Sequence, residues 1–343
     1  MKLLMIVTTI AATFFVAPCQ AAAWSRYSIT KSIPLGAPDS WDYLTFDALS
    51  GRVYIAHGDR VSVVDGKTGA ILGNISDISG GTHATVVLPD AGKGFTDDGE
   101  SGEVVEFDLA TMKVIKRIQT AVGADGIIFD SMSRHLFVVA GDSGLVTIVD
   151  PAKQQAVATI PVGEALESGV SGNNGKLYID GSEKNEIVRI DVEANKADAH
   201  WPIPGCVEPR GMAIDFVRHR LFSSCANQVL AILDADSGRE ISTLPIGEGS
   251  DAVVFDAKIG RAYSSNRDGT ISIVQEVSPD QFEALPPIHS EYGARTMTID
   301  PVSGRIYTIT ADINVNKSAA LTDYKHRYSV KAGSARLLFL DPK

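Results

Sequence analysis

The chain has 343 residues, with 31 Lys and Arg against 42 Asp and Glu, a formal net charge of −11 and 44% hydrophobic residues. That acidic balance excludes a charge-driven grip on nucleic acid or anionic membrane, and no run of Lys and Arg offsets it locally. The length exceeds what one hydrophobic core supports, yet no linker or break in composition divides the chain, which points to a repeat architecture.

Residues 1–23 read as a secretory signal. Lys2 supplies the charged start, Leu3 to Val16 the apolar core, and Ala21, Ala22 and Ala23 a small-residue cleavage site. The apolar run is too short for an ordinary membrane span. Cys19 raises the alternative of a lipid anchor, which Pro18 beside it fits poorly. Residues 24–343 are therefore expected to form one exported domain, periplasmic or secreted, soluble and monomeric.

From residue 40 onward one pattern recurs. A short apolar strand ends at Asp47, Asp90, Asp130, Asn173, Asp215, Asp256 and Asp300, at steps of 40–44 residues. A later strand of each unit ends at Asp65, Asp108, Asp150, Asp191, Asp234 and Gln275, with the same spacing. Pro209 to Gly247 holds the fullest copy: four runs of four to six residues, separated by turn formers such as Asp234-Ala235-Asp236-Ser237-Gly238. Four short strands repeated about every 40–45 residues predict propeller blades. The expected fold is all-β, a seven-bladed propeller of four-stranded antiparallel blades. Leu337 to Asp341 matches a third strand with no fourth after it, while Ile29 to Gly36 matches the fourth-strand text Val157 to Gly163. The N-terminal strand should therefore close the last blade and remove two open sheet edges.

The runs Gly51-Arg52-Val53-Tyr54-Ile55, Gly175-Lys176-Leu177-Tyr178-Ile179 and Gly304-Arg305-Ile306-Tyr307-Thr308 resemble those of the YVTN-repeat (YncE-like) seven-bladed propellers. The strand endings Ile160-Pro161-Val162-Gly163 and Leu244-Pro245-Ile246-Gly247 strengthen the resemblance, which covers nearly all of residues 24–343. No third strand ends on the Trp-Asp dipeptide of WD40 blades, which argues against that branch. The resemblance specifies fold strongly and function weakly.

Cys206 and Cys225 remain after signal removal. They flank the first two strands of one blade, and in an oxidising compartment such a pair reads as a disulfide, the alternative being two buried thiols. Between Thr310 and Ser334 the last blade carries an insertion, residues 311–333, expected to be either a mobile surface loop or a lid. Its Tyr324, His326, Arg327 and Tyr328 are side chains of the binding type.

No nucleophile elbow, zinc-protease helix, phosphate loop, haem motif or dinucleotide fingerprint occurs. The candidate site follows from register instead. Five positions before each strand-end residue stand Asp42, Thr85, Asp125, Ser168, Arg210, Asp251 and Arg295, with Trp41, His83, Glu167 and Glu208 beside them. In a propeller these positions meet at one mouth of the central channel. The family resemblance implies a shared site there, through His83-Ala84, Asp125-Gly126, Glu208-Pro209-Arg210-Gly211 and Arg295-Thr296. The expected binding set is Trp41, Asp42, His83, Asp125, Glu167, Glu208, Arg210, Asp251 and Arg295, against the plainer reading of solvated charges and blade-to-blade struts.

Two function classes follow. In the first, the mouth is a recognition module without a cofactor, taking a small anionic molecule on Arg210 and Arg295 or a protein partner. In the second, the chain is a lactonase-type hydrolase. Ca²⁺ or Mg²⁺ on Asp42, Asp125, Glu167 and Asp251 would polarise a carbonyl, and His83 would act as base. A quinoprotein role stands third, on fold analogy alone.

Overall fold

The computed structural model describes residues 26–318 and 327–343. The expected signal, residues 1–23, and Tyr324 and His326 of the insertion lie outside the described residues. Among the described residues, seven antiparallel sheets of four strands carry the chain. Blade one is Leu44–Asp47, Arg52–His57, Arg60–Asp65 and Ile71–Ile75, and the pattern repeats with the period read from the sequence. The last blade is split as expected. Its order is Tyr27–Pro34, then Arg336–Pro342, Ile306–Thr310 and Met297–Ile299, so the N-terminal strand supplies the missing fourth position. No described helix is long and apolar enough to cross a membrane.

The acids that end the first strands are turn residues. Asp47, Asp215, Asp256 and Asp300 each accept a hydrogen bond from the backbone N–H two residues on, at 2.8–3.0 Å. This satisfies a turn donor that the ladder cannot reach. The second strand of every blade buries one aromatic at the corresponding place: Tyr54, Phe95, Phe137, Tyr178, Phe222, Tyr263 and Tyr307, none more than 1% exposed. That is the physical content of the repeated Gly-x-x-Tyr text. The ring is glued blade to blade, not around one centre. Leu44, Val53 and Ile55 of blade one, for example, share a buried cluster with Tyr307, Ile309 and Phe339 of blade seven. Each other neighbouring pair has its own cluster.

Cys206 and Cys225 are bonded, with Cα atoms 5.4 Å apart and a sequence separation of 19. The bond clips the entry of blade five to the end of its second strand, inside a cluster with Met212 and Leu221. Closing a loop of this length stabilises by roughly 3 kcal/mol. We therefore expect Cys206→Ser with Cys225→Ser to lower unfolding stability by about that amount in urea titration. Denatured, unreduced wild-type protein should show no free thiol, and two free thiols would remove the bridge.

The insertion departs from the expectation of a plain loop. Ile313–Val315 pairs with Tyr328–Val330 in a two-stranded hairpin. Asp39 ties the returning chain down, accepting hydrogen bonds from the backbone N–H groups of Gly333, Ser334 and Ala335 at 2.6–3.1 Å.

Candidate functional site at the channel mouth

The first strands approach one end of the ring through the residues just before them, and there the predicted side chains meet. Asp42 is positioned by its own backbone: its N–H donates to the Ala56 carbonyl at 2.9 Å, and its carbonyl accepts from the Thr296 hydroxyl at 2.8 Å. The second contact joins blades one and seven. Asp42, His83 and Asp125 place ligand atoms within 4.8 Å of one another, though they come from three blades. Glu167 from blade four faces the same charges, since Asp125 and Asp251 are the acids that most raise its proton affinity after burial.

His83 is the most firmly held member. Its Nδ1 meets Asp97 Oδ2 at 2.6 Å, and Asp97 also accepts from the backbone N–H groups of His83 and Ala84 at 2.9 and 2.8 Å. Asp97 is fully buried in the second strand of blade two. With Nδ1 committed to a carboxylate, the ring orientation is fixed and Nε2 has no hydrogen-bond partner among the described residues. Carboxylate, imidazole and open nitrogen in series is the arrangement by which proteins orient a ligating histidine. Asp97 was absent from the sequence-derived set. The signal was available: Asp97-Asp98 is an acidic pair at the end of a second strand, where among the other blades only Asp180 of blade four supplies an acid.

The arginines are already engaged. Arg295 Nη1 lies 2.8 Å from Asp251 Oδ2, and Arg210 Nη2 lies 2.8 Å from Glu208 Oε2. Glu208 is exposed and sits at the rim. Tyr43, also missed, reaches across the channel from blade one, and its hydroxyl donates to the Arg210 carbonyl at 3.4 Å. Trp41 stands apart from the acids. With Arg295, Arg267, Ile313 and Tyr328 it lines a cavity of about 260 Å³ beneath the insertion hairpin. His83, Asp125 and Glu167 line a second cavity of about 460 Å³. Asp42 feels charges from both cavities, Arg295 from the first and Asp125 and His83 from the second.

The electrostatics follow from crowding. Asp42 is only partly exposed, with protein packed around it, and that burial pushes its carboxyl well above the usual range. Arg295 opposes the rise, while Asp251 and Asp125 add to it. Burial likewise raises Asp125, with His83 pulling against it. Glu167 is pushed up to about 7 by burial, then by Asp125 and Asp251. Burial disfavours a charged His83, but Asp97, Asp125 and Asp42 outweigh it and lift the imidazole to about 9. The acids thus lack enough positive charge, and protons make up the difference.

No family model matches the chain, and no curated protein matches it either. Solved structures do. A chain of the mitotic checkpoint complex superposes with a TM-score of 0.73 at 12% identity, covering 99% of both chains. The WD40 repeats of RRP9 give 0.74 at 10% identity, over 92% of this chain and 99% of that one. The likeness is one of fold. Hydrazine synthase of Kuenenia stuttgartiensis gives 0.68 at 14% identity, over 86% and 96%. The ring of seven blades therefore shares the seven-bladed propeller fold and resembles WD40 domains in that alone, and at these identities nothing about the mouth carries over.

Proposed function

We propose that this chain is an exported recognition propeller of the YVTN-repeat (YncE-like) kind, and that its channel mouth binds a cation. The bound group would be a divalent metal ion, or an ammonium group presented by a small molecule or by a partner protein. One observation carries the reading. Both arginines expected to hold an anion are paired with acids, at 2.8 Å each. Asp42, Asp125 and Glu167 meanwhile compete for the remaining positive charge. A cation at Asp42, His83 and Asp125 would replace the protons that crowding retains, while His83 keeps its Nδ1 hydrogen bond to Asp97. The sign of the ligand thus reverses relative to the anion that Arg210 and Arg295 suggested.

Binding is favoured over hydrolysis because His83 holds its proton to about 9 and is no free base at neutral pH. A second reading keeps the anion, and a specific feature favours it. Trp41 Nε1 and Arg210 Nε are buried N–H donors with no acceptor. An anionic group reaching either would satisfy it.

Titration calorimetry separates these readings. Ca²⁺ and Mn²⁺ are expected to bind at one site per chain at the mouth. Affinity should rise from pH 6 to pH 9, as Glu167 and then His83 lose their protons to solvent and stop competing with the ion. Asp42→Asn with Asp125→Asn should weaken this binding by roughly 100-fold, about 2.7 kcal/mol. Phosphate binding that survives this pair of substitutions and disappears in Arg210→Ala would establish the anion instead.

A further inference from the structure

We infer that Glu164, Glu186 and His200 form a second site, for a borderline divalent metal such as Zn²⁺, at the outer edge of blade four. It shares no residue with the channel mouth. Glu164 stands in the connection between the outer strand of blade three, Gln155–Pro161, and the first strand of blade four, Leu166–Ser171. Glu186 opens the third strand of blade four, Glu186–Asp191, and His200 lies in the fourth, Lys196–Pro202. Glu186 faces Pro202 and Val188 faces His200, so Glu186 and His200 are diagonal neighbours on one face of the sheet.

The three side chains offer ligand atoms within 4.8 Å of one another. His200 Nδ1 lies 2.5 Å from Glu186 Oε1 and 3.9 Å from Glu164 Oε1. The Glu164 side chain is wholly buried, and its Oε1 has no hydrogen-bond partner. Oε2 accepts from the Lys184 N–H at 3.2 Å. The nearest fixed positive charge, Lys184 Nζ, is 3.8 Å from Oε1 on a side chain that is half exposed. Two glycines make room for Glu164, one at its carboxylate and one at its backbone. A Cβ at Gly181 would fall 2.7 Å from Glu164 Oε2, and one at Gly144 would fall 2.3 Å from the Glu164 carbonyl oxygen.

A buried carboxylate oxygen without a donor is costly unless a proton or a cation reaches it. Two carboxylates and one imidazole are the donor set of Zn²⁺ and its neighbours, not of Mg²⁺. The side chain of His200 is 42% exposed, which leaves one side of the triad open to water as a further ligand. Burial and the Glu186 carboxylate both raise the proton affinity of Glu164, a pull that a bound cation would answer.

The test uses the full chain with any affinity tag removed, in an Asp42→Asn, Asp125→Asn background that silences the mouth. Equilibrium dialysis against Zn²⁺ alone at pH 7.5 should load one ion per chain and raise the melting temperature. His200→Ala and Glu164→Gln should each weaken binding by more than the roughly 10–100-fold that losing an outer-shell partner costs. Co²⁺ in the same background should give a visible d–d spectrum that His200→Ala removes. No zinc in that background, or zinc that persists unchanged in His200→Ala, would overturn the site. So would a Glu164→Gln protein that binds no zinc and melts higher at pH 8 when the background itself binds none, since a shared proton then accounts for the pair. Failure at the mouth leaves this result untouched, because the two sites are read with different variants.

Discussion

Deleting residues 26–36 is expected to abolish cooperative unfolding and drive the protein into aggregates. The strand Tyr27–Pro34 pairs with Arg336–Pro342 from Tyr27 opposite Pro342 to Pro34 opposite Arg336. Leu337, Leu338, Phe339 and Leu340 on the partner strand are wholly buried. Without the N-terminal strand their ladder becomes an open, apolar edge, the arrangement most prone to pairing with another chain. The deletion also strips Ile33 and Leu35 from the blade one–seven cluster and Tyr27 from the blade six–seven cluster. Full burial of such side chains is worth roughly 1.5–3 kcal/mol apiece, and these three, half-buried, contribute the lower part of that range alongside the lost ladder. A loss near 5 kcal/mol is comparable with the whole stability of many domains. Size-exclusion chromatography and urea unfolding measure it. A monomeric deletion protein with an unchanged midpoint would mean that the ring closes some other way.

The fold was legible because a propeller writes itself repeatedly. Seven copies of one strand-end residue, six Asp and one Asn, fixed the period, and an unmatched fourth strand at one end found its mate at the other. The same register brought Asp42, Asp125 and Asp251 to one mouth, since a ring position is a property of the repeat. Register does not say which charges pair. Arg295 and Asp251 occupy equivalent positions on adjacent blades, and only the inter-blade distance makes them a salt bridge instead of two free ligand groups. Asp97 escaped because it sits in a second strand, where repeat text predicts core. Glu164, Glu186 and His200 escaped for a different reason: a connection and two outer strands share no ring position, and strand pairing alone brings them together. The hairpin in the insertion was hidden by its shortness, three residues a side, too few to show alternation.

Arg295→Ala should destabilise the protein far more at pH 8 than at pH 5. Folding raises the proton affinity of Asp42, Asp125 and Glu167, so the folded state holds protons that the unfolded chain would release. For such groups the folded form is increasingly penalised as pH rises from the ordinary carboxylate range through the raised values, about 7 for Glu167. His83 acts in the same direction. Its stabilisation is complete below its unfolded value near 6.5 and is lost as pH rises through about 9. Arg295 offsets this penalty, paired with Asp251 at 2.8 Å and facing Asp42 and Asp125. Its side chain remains 27% exposed, so the cost of removing it falls below the full value for a buried pair, at about 2–3 kcal/mol at pH 8. Toward pH 5 Glu167 is protonated, the raised proton affinity of Asp42 and Asp125 acts in the same direction, and less repulsion remains for Arg295 to relieve. Thermal melts at the two pH values read the difference. Millimolar Ca²⁺ or Mn²⁺ should restore part of the pH 8 loss, because a bound cation supplies the charge that the substitution removed. An equal loss at both pH values, unmoved by either ion, would make Arg295 a strut between blades six and seven. The mouth would then be a packed joint with no binding role.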